Sequence, residues 1–95
     1  MQKITEMKSE DFFKFVENFI NVKIVKNSDI VKISYFELKI KMNMDEEDID
    51  RFLKCSKIIL EDQNYNVYLT NEEFKYDGKI NVVENNDFLV AIKII

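Results

Sequence analysis

Residues 88–95 read Phe88-Leu89-Val90-Ala91-Ile92-Lys93-Ile94-Ile95, with Lys93 the only charge. In an extended chain, successive side chains point to opposite faces. Phe88, Val90, Ile92 and Ile94 then share one face, and Leu89, Ala91 and Ile95 share the other. A strand that is apolar on both faces is normally central in a sheet or covered by a second layer. The segment is therefore expected to be an interior strand, a homodimer being the other way to cover its second face.

Working outward, residues 65–84 offer further strands. Tyr65–Thr70, Glu73–Tyr76 and Lys79–Glu84 have strand chemistry, and Asp77-Gly78 is a strong two-residue hairpin signal, with Asn85-Asn86 a weaker one. Earlier in the chain, Val22–Lys26 and Ile30–Tyr35 flank Asn27-Ser28-Asp29, a turn trio whose side chains bond their own backbone. Val31, Ile33 and Tyr35 share a face, but the apolar positions then shift to Phe36, Leu38, Ile40 and Met42. A period of two cannot slip by one residue without a bulge or corner, which is expected at Tyr35-Phe36.

Two helices are expected. Ser9-Glu10-Asp11 opens the first, with Ser9 as its cap and two acids favouring the positive end of the dipole. Phe12, Val16, Phe19 and Ile20 then recur at helical spacing to about residue 20. The second begins at Asn43 or Asp45 and carries Ile49, Phe52, Leu53, Ser56 and Leu60 on one face. A short strand over residues 57–60 is the alternative to helix there.

The order α-β-β-α-β-β-β predicts an α+β fold. It would be a mainly antiparallel sheet of five to seven strands with a single layer of two helices on one face. At 95 residues the chain is read as one domain, residues 1–95.

Composition removes most enzyme chemistries. There is no His, no Pro, no Trp, one Gly and one Cys. Imidazole-based nucleophilic sites and imidazole metal ligands are excluded, as are multi-Cys metal sites, internal disulfides and glycine-rich phosphate loops. Cys55 reads as a small buried hydrophobe, since no His exists to activate it. No cofactor and no catalytic residue is expected.

Charge is uneven. The chain is −4 overall, but residues 43–73 hold nine acids against Arg51, Lys54 and Lys57, a net of −6. The densest cluster is Asp45, Glu46, Glu47, Asp48 and Asp50. These acids suit a helix first turn, and they also suit a docking surface for a protein partner with a basic surface. Tyr65 and Tyr68 are candidate anchors for that partner. The cluster lacks the Gly turn and the distal bidentate Glu of a calcium loop, so no metal site is expected. Nor does anything place a second acid across a cleft for glycosidase chemistry.

Residues 21–42 are the basic counterpart, with Lys23, Lys26, Lys32, Lys39 and Lys41 against Asp29 and Glu37. If these lie on strands, they form either a solvated sheet face or a ribbon that contacts nucleic-acid phosphates.

The N-terminus has no apolar signal region, and no apolar run approaches the ~20 residues that span a bilayer. A cytoplasmic location without membrane contact is expected, and a lone thiol suits a reducing compartment. Thirteen Lys, thirteen Ile and ten Asn have A/T-rich codons, which points to an A/T-rich bacterial or mobile-element genome. The functional expectation is a small, acidic, non-enzymatic interaction protein. It would bind and occlude another macromolecule, as phage- or plasmid-type inhibitors and immunity proteins do. A DNA-binding accessory protein using the lysine-bearing segment 22–42 is the alternative.

Overall fold

The computed structural model describes residues 7–69 and 87–94. In chain order the elements are helix α1 (Ser9–Lys26), strand β1 (Ile30–Ser34), a π-helix (Phe36–Lys41), helix α2 (Glu46–Asp62), strand β2 (Tyr65–Leu69) and strand β3 (Asp87–Lys93). The class is α+β. Among the described residues there are three helices and one three-stranded antiparallel sheet, not two helices and five to seven strands. The expected strands at 73–76 and 79–84, with both hairpin signals, lie outside the described residues.

The sheet order is β1-β3-β2, so the last strand is central and pairs antiparallel on both sides. Val31, Ala91 and Val67 form one row across the sheet, and Ile33, Leu89 and Leu69 form the next. These rows make the face that joins the core. Val31, Ile33, Leu89 and Ala91 are each at most 1% exposed. On the reverse face, Val90 is also buried, between Lys32 and Tyr68 on the flanking strands.

Two expected strands are helical instead. Residues 22–26 continue α1, because the core stripe Phe12, Val16, Ile20 extends to the half-buried Lys23 and Ile24. Neither Pro nor Gly interrupts it, and tertiary packing outweighs the β-preference of Val and Ile. The helix ends where Asn27 adopts extended backbone, and Asp29 N–H donates to Asn27 Oδ1 at 3.0 Å. At the other end, Lys8 rather than Ser9 holds the capping position, with no side-chain cap.

Residues 36–42 alternate because they wind, not because they extend. In a π-helix, with its i→i+5 bonds, a four-residue step returns to nearly the same side. Leu38 and Met42 face inward, while Phe36 and Ile40 are 54% and 60% exposed. The phase change at Tyr35-Phe36 is thus the end of a strand. Pairing slips at Ile33/Ser34, and the Ser34 hydroxyl then accepts from Glu37 N–H at 3.2 Å. The wide turn is visible in Met42 N–H donating to the Glu37 carbonyl at 3.1 Å.

The helices lie against the core face and against each other. Phe52 of α2 sits edge-on to Phe19 at 5.1 Å and to Phe15 at 6.0 Å, the arrangement that the ring quadrupoles favour. Buried Ser56 donates to the Phe52 carbonyl one turn back, so no hydroxyl is stranded at this interface. Residues 57–60 are helical, and α2 runs on to Asp62. Asn64, at φ 66°, turns the chain into β2. There the Tyr65 hydroxyl donates to the Ser28 carbonyl, and Ile94 N–H donates to the Asn64 carbonyl at 2.8 Å.

Deleting residues 90–95 removes the middle of the central strand and should abolish cooperative thermal unfolding. Leu89→Ala is expected to cost ~2–5 kcal/mol by denaturant titration, as for a buried Leu with little room to collapse. A deletion variant that melts like the intact chain would show that β3 does not hold the sheet together.

Candidate functional site

The acidic cluster is ordered by a helix start. Asn43, at φ 51°, takes the left-handed backbone that Asn tolerates, and Asp45 follows in extended geometry. Asp45 Oδ1 accepts from Asp48 N–H at 2.8 Å, satisfying one orphan donor of α2. Met44 and Ile49, both buried, flank this cap at the positions of a hydrophobic staple. The five acids therefore have different fates. Asp45, Glu46 and Glu47 are exposed. Asp48 is only 4% exposed and belongs to the interior. Asp50 is partly exposed and pairs with Lys54 at 2.8 Å. Its hydrogen bond, and then its charge, hold the Lys54 ammonium above its ordinary 10.5.

A groove of about 450 Å³ opens beside this turn. Ile49 and Leu53, one turn apart on α2, supply apolar lining, and Glu46 and Asp50, also one turn apart, supply carboxylates. Tyr35, where β1 gives way to the π-helix, faces Phe88 of β3 with ring centroids 5.5 Å apart. Lys39 of the π-helix completes the lining and partly offsets the acids. The arrangement suits a group with an apolar stem and a cationic head, which carboxylates and aromatic rings attract together.

The tyrosine anchors divide in the same way. Tyr65 is 2% exposed, and burial followed by the Asp29 charge raises its phenol above the ordinary 10.0. Its ring and hydroxyl serve the fold, with Lys93 Nζ 4.7 Å from the ring centroid. Tyr68 is half-buried on β2, on the sheet face away from the helices. Neither lines the acidic groove.

Of the five lysines, only Lys32 lies on a strand. Lys23 and Lys26 belong to α1, and Lys39 and Lys41 to the π-helix, so these five lysines form no strand ribbon among the described residues. The fold nevertheless gathers Lys23, Lys26 and Lys41 around a second groove of about 360 Å³ between α1 and the π-helix, with Phe19, Val22, Glu37 and Met42. Lys23 pairs with Glu37 at 2.8 Å in half-buried surroundings.

Tyr35 and Phe88 were not legible as site residues in the sequence. The one signal was the break in alternation at Tyr35, which marks where the chain turns away from the sheet. Among the described residues, no group of three or more His, Cys, Asp or Glu side chains is placed to hold a metal ion. Nor is any helix there long and apolar enough to cross a membrane. Comparison with protein-family models, with curated proteins and with solved structures finds no match.

Cys55 is half-buried against the core, and burial pushes its thiol above the ordinary 9.0, with Arg51 pulling weakly the other way. Burial penalises the thiolate, which is the reactive form, so the proton is held to higher pH. Alkylation of the folded protein by iodoacetamide should therefore show a pH midpoint above 9.0, and denaturant should speed the reaction at pH 8. A midpoint below 9.0 would contradict the assigned environment.

Proposed function

We propose that this chain is a non-enzymatic interaction protein that binds and occludes a macromolecule with a basic surface. The observation that carries this reading is the exposed acidic first turn of α2, Asp45, Glu46 and Glu47, of which Glu46 also lines a groove walled by Tyr35 and Phe88. The carboxylates steer a cationic surface into contact, and the groove accepts one of its side chains beside Tyr35 and Phe88. Asp50 and Glu46 border the groove, whereas Asp48 and Tyr65 are buried and do not line it. An inhibitor or immunity role of the phage or plasmid type and a cytoplasmic location belong to the same proposal. They rest on the Lys/Ile/Asn bias, the single thiol and the lack of imidazole chemistry.

The test keeps the Asp45 cap intact. Partners captured by the wild-type chain from lysate of the encoding organism are compared with those captured by Glu46→Gln/Glu47→Gln and by Tyr35→Ala. Each charge removed should cost the helix only ~0.3–1 kcal/mol, so the acid variant stays folded. Its association rate with a captured basic partner should fall about tenfold at low salt, and the salt dependence should flatten. Equal capture and equal rates for a folded acid variant would reject the docking surface.

A further inference from the structure

The second groove has features that the acidic face does not explain. It lies between the last turns of α1 and the π-helix, with Phe19, Val22 and Met42 as its apolar lining. Lys23 is already committed. It pairs with Glu37 at 2.8 Å, and its ammonium lies 5.2 Å from the Phe19 ring centroid, which ties the two helices together. Lys26 and Lys41 differ from it. Both are exposed, and neither has a carboxylate at ion-pair distance among the described residues.

The two helices also carry exposed apolar side chains, of which Val22 lines the groove. Val22 is 57% exposed, and Val25, three residues further along α1, is 87% exposed. Phe36 and Ile40 project from the π-helix, and the Lys41 ammonium lies 5.6 Å from the Phe36 ring centroid. Scattered exposed apolar residues need no explanation, but Val22 stands exposed in a groove that also has Phe19 and Met42 as lining and two exposed lysines at its margin.

The chemistry narrows the occupant. Nucleic-acid phosphates would use the lysines but leave the apolar lining of Phe19, Val22 and Met42 unused, and all the cations here are Lys rather than base-reading Arg. An anionic bilayer would take protruding apolar groups, yet Phe19 and Met42 are set back as half-buried lining. An acidic polypeptide fits both features. One of its apolar side chains would enter the groove, and carboxylates on either side would meet Lys26 and Lys41.

We propose that this groove is a second docking site, for an acidic partner segment that inserts an apolar side chain between α1 and the π-helix and sets carboxylates against Lys26 and Lys41. It uses none of the residues of the acidic face, so it stands or falls independently of the basic-partner reading.

The probe is a synthetic helical peptide with Leu residues flanked by Glu, titrated into the isotope-labelled full chain and followed by amide shifts. Its Gln-for-Glu counterpart, a DNA duplex and vesicles rich in phosphatidylserine are the controls. The Glu peptide should shift the amides of Val22, Lys23, Lys41 and Met42, with affinity about tenfold higher than the Gln peptide. Lys26→Glu/Lys41→Glu should remove binding, since both side chains are exposed and the fold does not need them. Val22→Ser should weaken binding without changing its salt dependence. The proposal is overturned by any of three results: no shift at these amides, Glu and Gln peptides bound alike, or duplex or vesicles perturbing the same amides more strongly than the Glu peptide.

Discussion

The structure depends on the pairing of β3 along both of its edges. Through Leu89 and Ala91 this strand holds Ile33 and Val31 on one side and Leu69 and Val67 on the other, so that three short segments become one surface. Two-stranded pairs are marginal in water, and a third strand with an apolar face is what makes a small sheet persist. Lys93 extends the constraint past the sheet. Its backbone N–H donates to the Asp29 carbonyl at 2.9 Å, and its side chain donates to the Gln63 carbonyl at 2.8 Å. The turn after α1 and the C-terminal end of α2 are thereby fixed to the same residue.

The helices then have one apolar face to cover, and they do so with aromatic rings. Phe52 is fully buried between Phe15, Phe19 and the sheet side of the core. Arg51 lies 4.4 Å from the Phe12 ring centroid at the margin of this interface, where a guanidinium can stack and stay solvated. The π-helix follows from geometry. The chain leaves β1 at Tyr35, and it must bury Leu38 before reaching Met44 and the cap of α2. Its wide turn places Leu38 inward and Phe36 and Ile40 outward. It also makes this short segment a shared wall, with Lys39 beside the acidic groove and Lys41 beside the basic one. Opposite charges are in this way separated across a single turn and a half of backbone, and each lies next to apolar lining.

Much was legible in the sequence. An apolar run on both faces led to an interior position for the last strand, with a homodimer as the alternative, and α2, expected to begin at Asn43 or Asp45, is capped by Asp45. The turn at Asn27-Ser28-Asp29 was read from side chains that bond locally, although it joins α1 to β1 rather than two strands. Each of these features is set by a few neighbouring residues, so the pattern carries the answer. The acid-rich first turn was legible too, but the burial of Asp48 was not. Periodicity names the side of a helix, and it does not say how far the core reaches around it.

The rest was decided by tertiary structure. Val22–Lys26 and Phe36–Met42 have strand-like composition, and both wind instead, packing Ile24, Leu38 and Met42 against the core while Val22, Val25, Phe36 and Ile40 stay exposed. Alternation in the second segment was real, yet a period of two and a wide helix with two apolar sides produce the same string of letters. The grooves lay further out of reach. Tyr35 and Phe88 are more than fifty residues apart, and Lys26 and Lys41 come from elements separated by a strand. Local sequence fixed the charge and polarity of these residues, whereas only the packing of α1, the π-helix and α2 around β3 determined which of them share a surface.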